Sequence, residues 1–361
     1  MPDPMIDPAT IFPPENSMRN SMAFPYAVRS PRTGRFSSFD RRRRPGSANP
    51  ERFRAGLPKN RRHWPKGNAM LDLLRKEILD FIAASVHNVM DPTEEERKTE
   101  PIWDTALVAA AAGDDPLFEF FRRDIGSFHR TPQKIFRRAF PDIATDARDI
   151  SVVVWILPQT RRTRRDHRRE SILPSERWAR SRLRGEAFNN RLRTFVVERL
   201  ARRGIPAVAP QLAADWSRET SARYGYASSW SERHAAFAAG LGTFGLSDGL
   251  ITPAGKAVRV GSAVARVRLE TSPRPYSDPR AYCLFFAGGK CRKCAERCPA
   301  GAIDADGHDK VRCRAYIRET TRPHARNAFG LDANACGLCQ VGVPCEAGIP
   351  VRSARPPASE S

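Results

Sequence analysis

The first strongly patterned stretch of the chain has apolar side chains at the spacing of an α-helix. Its apolar positions are Leu71, Leu74, Ile78, Phe81 and Ile82. Residues three and four apart lie on the same face of a helix. The pattern therefore predicts an amphipathic helix that begins near Ala69 and ends near Val89. Pro and Gly residues interrupt residues 101–140, which we expect to form further short helices.

Two later stretches have the composition of buried strands. Residues 149–157 are a short apolar run rich in β-branched side chains, and residues 258–269 alternate in polarity. Between them, residues 175–203 carry apolar side chains at helical spacing, which predicts a long helix, and residues 205–209 have the composition of a further short strand. This order of elements predicts an α+β fold class, with a mixed α/β domain of about 200 residues.

The net charge of the 361 residues is +21, and two segments supply most of it. Residues 1–66 hold 14 Lys and Arg against 5 Asp and Glu and show no apolar periodicity. Such a segment cannot bury enough apolar surface to offset its chain entropy, so we expect a disordered basic tail. A tail of this kind can bind polyanions. A solvated terminus, or a start codon assigned too early, explains it equally simply.

The second basic segment coincides with the predicted long helix and the residues before it. Residues 161–203 hold 15 Arg against 5 Asp and Glu. Most of the helix arginines lie off its apolar face, which favours a solvated face with surface ion pairs. A phosphate-bearing ligand is the alternative. Residues 161–169 follow the end of a predicted strand, where α/β sheets bind ligands, and are better placed for such a role.

The sequence contains no run of 18 apolar residues that could cross a membrane. Its first residues lack a charged region followed by an apolar core, so we expect no secretory signal and a cytoplasmic protein. Disulfides are rare in the reducing cytoplasm, so we expect the eight cysteines to bind metal.

Gly240, Gly242 and Gly245 match the dinucleotide-binding pattern G-x-G-x-x-G. That pattern binds phosphate only between a strand and a helix, where the helix N-terminus faces the phosphate. Here the glycines follow a predicted helix, because Ser229 and Glu232 have the spacing of a capping box and Gly240 is expected to end the helix. We therefore expect the glycines to allow a sharp turn and a close backbone approach, and not to bind a nicotinamide cofactor.

All eight cysteines lie in one segment near the end of the sequence. They are Cys283, Cys291, Cys294, Cys298, Cys313, Cys336, Cys339 and Cys345. The spacing Cys-x2-Cys-x3-Cys-Pro over residues 291–299 resembles the second half of the cysteine run of two-cluster ferredoxins. Eight thiolates are the number that two [4Fe–4S] clusters require. Two zinc sites would also use eight cysteines, but this spacing is not typical of zinc knuckles.

The resemblance to two-cluster ferredoxins also implies how the cysteines pair. In those proteins the cysteine before the proline binds the other cluster. We therefore expect a first cysteine set that consists of Cys283, Cys291, Cys294 and Cys345. The second cysteine set is then Cys298, Cys313, Cys336 and Cys339.

The order of these features resembles the epoxyqueuosine reductases and their relatives, the cobalamin-dependent reductive dehalogenases. The motifs that carry the resemblance are Glu232-Arg233, residues 240–245, Gly261-Ser262, residues 291–303 and residues 336–340. The resemblance implies a nitroreductase-like corrinoid-binding domain over residues 67–275 and a double [4Fe–4S] ferredoxin-like domain over residues 276–350. Tails are expected at residues 1–66 and 351–361. In these families a base-off cobalamin lies between the two domains and drives a two-electron reductive cleavage.

The sequence departs from the epoxyqueuosine reductases in three places. Cys283 and Cys345 are displaced relative to the spacing in that family. The sequence ends 16 residues after Cys345, so we expect it to lack the helical-repeat domain that helps those enzymes hold transfer RNA. Tyr226 stands where that family has an aspartate as proton donor, and the reductive dehalogenases use a tyrosine as donor.

The resemblance implies an active site at the boundary of the two domains. Tyr226 is its expected catalytic proton donor, and the nearby cations Arg223 and Arg233 are suited to tune a phenol for that role. An aromatic loop packed on the core is the alternative interpretation of Tyr226. The expected corrinoid contacts are Ser247, Asp248, Arg314 and Tyr316.

These features predict a cobalamin-dependent iron–sulfur oxidoreductase of the epoxide-reducing or dehalogenating type, with electrons relayed through two clusters. Its expected partners are a small or phosphate-bearing substrate and an external electron donor of the ferredoxin or flavodoxin type. A non-catalytic electron carrier is the alternative, which the additional domain of about 200 residues disfavours. A nucleic-acid-binding iron–sulfur protein is a further alternative, and the lack of interleaved aromatic and basic residues counts against it.

Overall fold

The computed structural model describes residues 68–91, 93, 99–289 and 291–351. The predicted tail at residues 1–66 lies outside the described residues, and so does all but the first residue of the predicted tail at 351–361. The described residues all belong to one compact unit. Among their helices, none is both long enough and apolar enough to span a lipid bilayer.

The described chain contains ten α-helices and eight strands. The helices are α1 (Asn68–Ala84), α2 (Pro116–Ile125), α3 (Pro132–Ala139), α4 (Arg161–Arg168), α5 (Glu176–Ala201), α6 (Glu232–Ala238), α7 (Leu284–Gly288), α8 (Lys293–Glu296), α9 (Lys310–Tyr316) and α10 (Arg322–Phe329). The strands are β1 (Leu107–Ala112), β2 (Ser151–Pro158), β3 (Ala207–Val208), β4 (Arg218–Ser221), β5 (Gly225–Ser228), β6 (Thr243–Phe244), β7 (Leu250–Ile251) and β8 (Val258–Ala265). One π-helical turn, Ile317–Thr321, joins α9 to α10.

A four-stranded antiparallel sheet with the order β1-β2-β8-β3 forms the centre of the fold. The predicted strands at residues 149–157 and 258–269 are confirmed as β2 and β8, and the short strand at 205–209 as β3. Every residue of β2 is buried, because helices cover both faces of the sheet. Helices and an antiparallel sheet together agree with the expected α+β class.

Helices α1 and α5 cover one face of the sheet, and α6 covers the other. The indole of Trp155 in β2 donates to the side-chain oxygen of Asn189 in α5 at 2.8 Å. The Asn189 amide in turn donates to the carbonyl of Val260 in β8 at 3.0 Å. These buried hydrogen bonds fix the long helix to the two central strands.

Helix α1 is shorter than its apolar pattern predicts, since it ends at Ala84 and not near Val89. The side-chain amide of Asn88 donates to the carbonyl of Ile82, and its oxygen accepts from the backbone of Trp103 at 3.0 Å. An asparagine that hydrogen-bonds to nearby backbone groups competes with helix continuation.

The prediction of helix across residues 101–140 is wrong in its first part, where β1 forms an edge strand. Alanine is the strongest helix former, so the run Ala109–Ala112 favours a helix on propensity alone. Here β1 pairs along its whole length with β2. Its other edge exchanges hydrogen bonds with Ser272, which lies beside Ala110. Tertiary pairing therefore overrides local propensity.

The predicted capping box at the start of α6 is also wrong in detail. The N-cap is Ser231, whose side chain accepts from the backbone of His234. Ser229 instead belongs to the end of the β4–β5 hairpin, where its hydroxyl accepts from Ser217. Gly240 follows the helix at φ +77°, and an added Cβ there would lie 2.1 Å from the carbonyl oxygen of Pro273. The glycine therefore permits the sharp turn and close approach that the sequence predicts.

The expectation of a solvated arginine face on α5 is wrong for three of its arginines, Arg177, Arg180 and Arg193, whose side chains are largely buried in ion pairs. Arg177 pairs with Glu100 and Asp166, and Arg180 pairs with Asp91. Carboxylates from other parts of the chain therefore neutralise much of this basic helix.

The cysteine-bearing part of the chain consists of short helices and turns between residues 283 and 346. Part of it packs on the beginning of α5, in a cluster that includes Trp178, Ala325, Leu331 and Val341. This packing fixes the cysteine segment against the sheet domain.

Candidate functional site

The first cysteine set lines a single pocket. Its four sulfur-bearing residues share this pocket with the apolar side chains of Leu246, Ile251 and Val343 and with Lys256. Cys283 and Cys294 are buried, and Cys291 and Cys345 are partly exposed. The loop from Cys283 to Cys291 therefore does bring the displaced first cysteine to the others.

The second cysteine set is also brought together. Burial first, and then the nearby sulfurs of Cys339, Cys336 and Cys298, raise the pKa of Cys313 to about 12. Cys336 and Cys339 likewise each interact with Cys298. Cys294 of the first set also interacts with Cys339 of the second set, so the division of the eight cysteines into these two sets stays a prediction.

The cysteine thiols are held in a medium that disfavours their charge. Burial raises the pKa of Cys339 and of Cys345 to about 11. Thiols with such pKa values stay protonated at neutral pH until a bound metal displaces the proton. All eight cysteines are free of disulfides. Among the described residues, no three His, Cys, Asp or Glu side chains are close enough to hold a single metal ion.

A buried ammonium group lies beside both cysteine sets. Lys256 is only 3% exposed, and its Nζ donates to the hydroxyl of Ser247 at 2.9 Å. Burial lowers the pKa of Lys256, but the sulfurs around it, Cys345 first, outweigh that effect and leave the pKa raised. A buried charge is normally paired. Anionic sulfur centres would supply the missing partner.

The loop of the second set is braced by an aromatic pair in the sheet domain. The His167 ring of α4 stacks on the Trp178 indole of α5 with centroids 4.2 Å apart. Gly337 adopts φ +75° against that indole, and an added Cβ would lie 2.3 Å from it. Burial lowers the pKa of His167 to about 3, so the ring is neutral. Gly337 lies between Cys336 and Cys339 in sequence, and only glycine lets the backbone approach the indole so closely.

The arginines predicted to face a ligand at residues 161–169 instead include two that bind the cysteine segment. Arg168 donates two hydrogen bonds to the carboxylate of Glu346, at 2.6 and 3.1 Å. Arg164 lies 3.7 Å from the same carboxylate. Glu346 also accepts from the backbone of Gly342 at 2.7 Å. The strand-end rule for ligand sites applies to parallel sheets, whereas β2 is antiparallel to both neighbours.

Tyr226 lies on the β4–β5 hairpin, which the sequence analysis did not predict. Its side chain is 41% exposed, and the guanidinium of Arg314 lies 4.3 Å from its ring centre. Lys310 Nζ reaches the backbone carbonyl of Tyr226 at 3.5 Å. The neighbouring Tyr224 is the packed aromatic residue, since its hydroxyl donates to Asp124 at 2.6 Å. The core-packing interpretation thus describes Tyr224 and not Tyr226.

Asp248 joins this surface and organises its cations. Its carboxylate lies 3.4 Å from His308 Nδ1 and 3.6 Å from Lys310 Nζ, and Arg233 donates to its backbone carbonyl. Burial raises the pKa of Asp248, but His308, Lys310 and Arg233 outweigh it and lower the pKa. Burial is also the main cause that lowers the pKa of Lys310. We call Tyr226, Asp248, Lys310 and Arg314 the Tyr226 face.

The four expected corrinoid contacts make different contacts in the structure. Asp248 and Arg314 reach the Tyr226 face, whereas the Ser247 hydroxyl is engaged by Lys256. Tyr316 donates to the backbone carbonyl of Ile172 at 2.6 Å and lies beside the second cysteine set. The expected set is therefore divided between three environments.

Two lysines of the site were missed from the sequence. Lys310 lies one helical turn before Cys313, and that spacing was a usable signal, because residues three apart share a helix face. Lys256 follows Thr-Pro-Ala-Gly, a turn that carries no metal or catalytic motif. Its role depends on the fold.

No family model matches the sequence, and no curated protein matches it either. Several solved structures are similar to it. An epoxyqueuosine reductase from Bacillus subtilis is 18% identical, over 78% of this chain and 67% of that chain, with a TM-score of 0.39. An epoxyqueuosine reductase with an epoxyqueuosine-modified stem loop of a tyrosine tRNA is 16% identical, over 78% and 68%, with a TM-score of 0.38.

A catabolic reductive dehalogenase in complex with 3-bromo-4-hydroxybenzoic acid is 15% identical, with a TM-score of 0.43. That match covers 78% of this chain but only 37% of the dehalogenase. The similar solved structures thus include both of the families that the sequence motifs resemble.

Proposed function

We propose that this protein is an iron–sulfur oxidoreductase that holds two [4Fe–4S] clusters, one on each cysteine set. The observation that carries the proposal is that eight free cysteines lie in one segment, four of them in one pocket with Lys256, and that sulfurs of both expected sets act on that buried ammonium. Four thiolates per cluster is the usual ligand set. Each cluster bound in this way would supply one-electron transfer.

The chain itself supplies the conditions that such clusters need. The pocket of the first set is lined by apolar side chains. The loop that carries Cys336 and Cys339 of the second set packs on the His167–Trp178 pair. Burial and hydrogen bonds around the sulfurs are the means by which a protein sets cluster stability and potential. The ion pair of Arg168 with Glu346 anchors the segment that ends in Cys345.

We place the substrate at the Tyr226 face. Two cations, Lys310 and Arg314, flank an exposed phenol there, which suits a substrate that carries a phosphate or another anion. Reductive opening of an epoxide, or cleavage of a carbon–halogen bond, leaves an anionic product that takes up a proton. Tyr226 is the proposed donor of that proton, and Arg314 over its ring stabilises developing negative charge on the phenol oxygen.

The resemblance to corrinoid enzymes implies a further cofactor, and the residues expected to hold it lie in three different environments. We therefore derive no step through a corrinoid. Titration of the reduced protein with hydroxocobalamin tests this point, because base-off binding changes the corrinoid absorption spectrum. Saturable binding that requires Arg314 would add the cofactor to the proposal.

The experiment that tests the proposed function starts from anaerobically reconstituted protein reduced with dithionite. Small phosphate-bearing epoxides and aryl halides are then added, and cluster reoxidation is followed by absorption and electron paramagnetic resonance while products are analysed. Reoxidation coupled to product formation supports the oxidoreductase. Reduced clusters that transfer electrons only to a protein acceptor would favour the electron carrier, and a chain that holds no reducible cluster would overturn both.

A further inference from the structure

Hydrogen bonds hold both the backbone and the ammonium group of Lys256. Its backbone N–H donates to the carbonyl of Cys345 at 2.8 Å and to that of Glu346 at 3.3 Å. Its side chain passes Gly249, with side-chain carbons 3.0 and 3.1 Å from the position that a Cβ would occupy there. The ammonium then meets the Ser247 hydroxyl at 2.9 Å. The side chain has no freedom to move its charge into solvent.

The charge of Lys256 has only sulfur to compensate it. Within the part of the chain that the structure describes, no carboxylate lies at ion-pair distance from its Nζ. The sulfurs that act on it most strongly are Cys345, Cys339, Cys294 and Cys283. Three of these belong to the first cysteine set, with which Lys256 shares one pocket, and one belongs to the second set.

We propose that Lys256 is a positioning residue that raises the reduction potential of both clusters, and of the cluster on the first set more strongly. This inference rests on the proposed function. Adding an electron makes a cluster more negative, and a fixed positive charge in a buried medium stabilises the reduced form relative to the oxidised form. A solvent-exposed cation has a much smaller effect, because water screens it.

The chain offers a matched control for this effect. Lys293 immediately precedes Cys294 in sequence, yet its side chain is exposed and its ammonium pairs with Glu296 at 2.7 Å. Lys256 and Lys293 thus carry the same charge near the same cluster, and they differ in burial and in pairing. The substitution to Met removes the charge and keeps the length of the side chain at both positions.

The test is a redox titration of the reconstituted full chain, in which electron paramagnetic resonance monitors the reduced clusters. It compares wild type, Lys256→Met and Lys293→Met. We expect Lys256→Met to shift the one-electron reduction equilibrium of the first-set cluster at least about tenfold towards the oxidised form, which corresponds to ~59 mV. The second-set cluster should shift in the same direction by less. Lys293→Met should leave both potentials near those of wild type.

Each outcome separates this inference from the function on which it rests. If wild type holds no clusters, the proposed function fails. If clusters load and Lys256→Met leaves their potentials unchanged, or shifts them no more than Lys293→Met does, the role of Lys256 is refuted while the function stands. If Lys256→Met does not load iron, Lys256→Arg decides: loading at the wild-type potential supports a charge effect, and failure to load shows that side-chain shape alone matters.

Discussion

At the scale of single residues, two tyrosines two positions apart have opposite roles. Tyr224 is partly buried against Asp124, and burial followed by that hydrogen bond raises its pKa. Tyr226 is exposed beneath Arg314. In a regular strand, side chains two positions apart lie on the same face. Tyr224 and Tyr226 nevertheless have different surroundings, because Tyr224 belongs to the hairpin turn and Gly225 between them has a positive φ. Tyr226 is therefore the more exposed phenol of the two, and the one to which we assign the proposed proton transfer.

Replacement of Tyr226 by Phe removes the hydroxyl and keeps the ring under Arg314. Because general acids contribute about 10²–10⁴-fold, we expect turnover of the substrate found by the cluster-reoxidation screen to fall by that factor. Iron content should remain at the wild-type value. Turnover at the wild-type rate in Tyr226→Phe would show that another group donates the proton.

The pairing of the cysteines is tested by comparing single substitutions within and between the sets. Cys298→Ala and Cys313→Ala should each lose the cluster of the second set and leave the same residual resonance spectrum. Cys291→Ala should leave a different spectrum, that of the second-set cluster. If Cys298→Ala instead matches Cys291→Ala, the adjacent cysteines share a cluster and the pairing is wrong.

Stability should depend on pH through His234, a partly buried histidine. His234 packs between Phe121 and Phe244, with ring centroids 4.8 Å away on either side, and burial lowers its pKa well below the ordinary 6.5. The unfolded chain takes up a proton near pH 6.5 while the folded chain does not. Lowering the pH below 6.5 therefore favours unfolding, by up to about 1.4 kcal/mol per pH unit.

The histidine prediction is checked by thermal unfolding of the cluster-loaded protein between pH 7.5 and 5. His234→Phe preserves the aromatic packing, so we expect it to lose less stability on acidification than wild type. His87→Phe, at an exposed position, should follow the wild-type curve. Parallel curves for all three proteins would refute the contribution of His234.

The type and spacing of the eight cysteines were sufficient to predict them as candidate cluster ligands. The ferredoxin-like spacing predicts two sets of four cysteines, because it constrains how the chain can turn around them; which cysteines share a cluster stays a prediction. The role of Lys256 could not be predicted, because none of the residues next to it in sequence distinguishes an exposed turn from a buried one. Its environment is created by contact with Cys345, which is 89 positions away in sequence.

At the scale of elements, α5 joins the basic segment to the rest of the fold. Arg193 is 2% exposed and pairs with Glu186 at 2.9 Å and with Glu232 at 3.1 Å, and it also donates to the carbonyl of Val260. Glu232 begins α6 on the opposite face of the sheet. One guanidinium thus connects α5, α6 and β8.

Removal of Arg193 should therefore destabilise the whole fold. Breaking a buried ion pair leaves an uncompensated charge and costs about 3–5 kcal/mol, so Arg193→Met should lower the apparent melting temperature strongly. Arg182→Met is the control, since Arg182 lies on the same helix, is partly exposed and reaches Glu186 only at 3.7 Å. Its cost should be below about 1 kcal/mol. Equal losses in the two variants would contradict the buried-network role of Arg193.

The elements that the sequence predicted correctly are those with a strong apolar pattern. β2 and α5 were predicted within two residues at each end. β1 was missed because four alanines favour a helix until β2 pairs with them. The β4–β5 hairpin was missed because its strands are partly exposed and carry no alternating apolar residues. Pairing between distant segments, which the local pattern does not contain, decided both cases.

At the scale of the whole molecule, the sheet domain and the cysteine segment depend on each other. Trp178 and His167 brace the loop that carries Cys336 and Cys339, and Arg168 holds the residue after Cys345. Of the arginines at residues 161–203, Arg164 and Arg168 reach Glu346 in the cysteine segment, whereas Arg177, Arg180 and Arg193 pair within the sheet domain.

The central claim is that the two cysteine sets each hold a [4Fe–4S] cluster. The most direct measurement is the content of iron, acid-labile sulfide and zinc in the full chain after anaerobic reconstitution and removal of unbound metal. We expect about eight iron and eight sulfide per chain, with no stoichiometric zinc. Two zinc ions and no sulfide per chain, or about four iron in a chain with all eight cysteines intact, would contradict it.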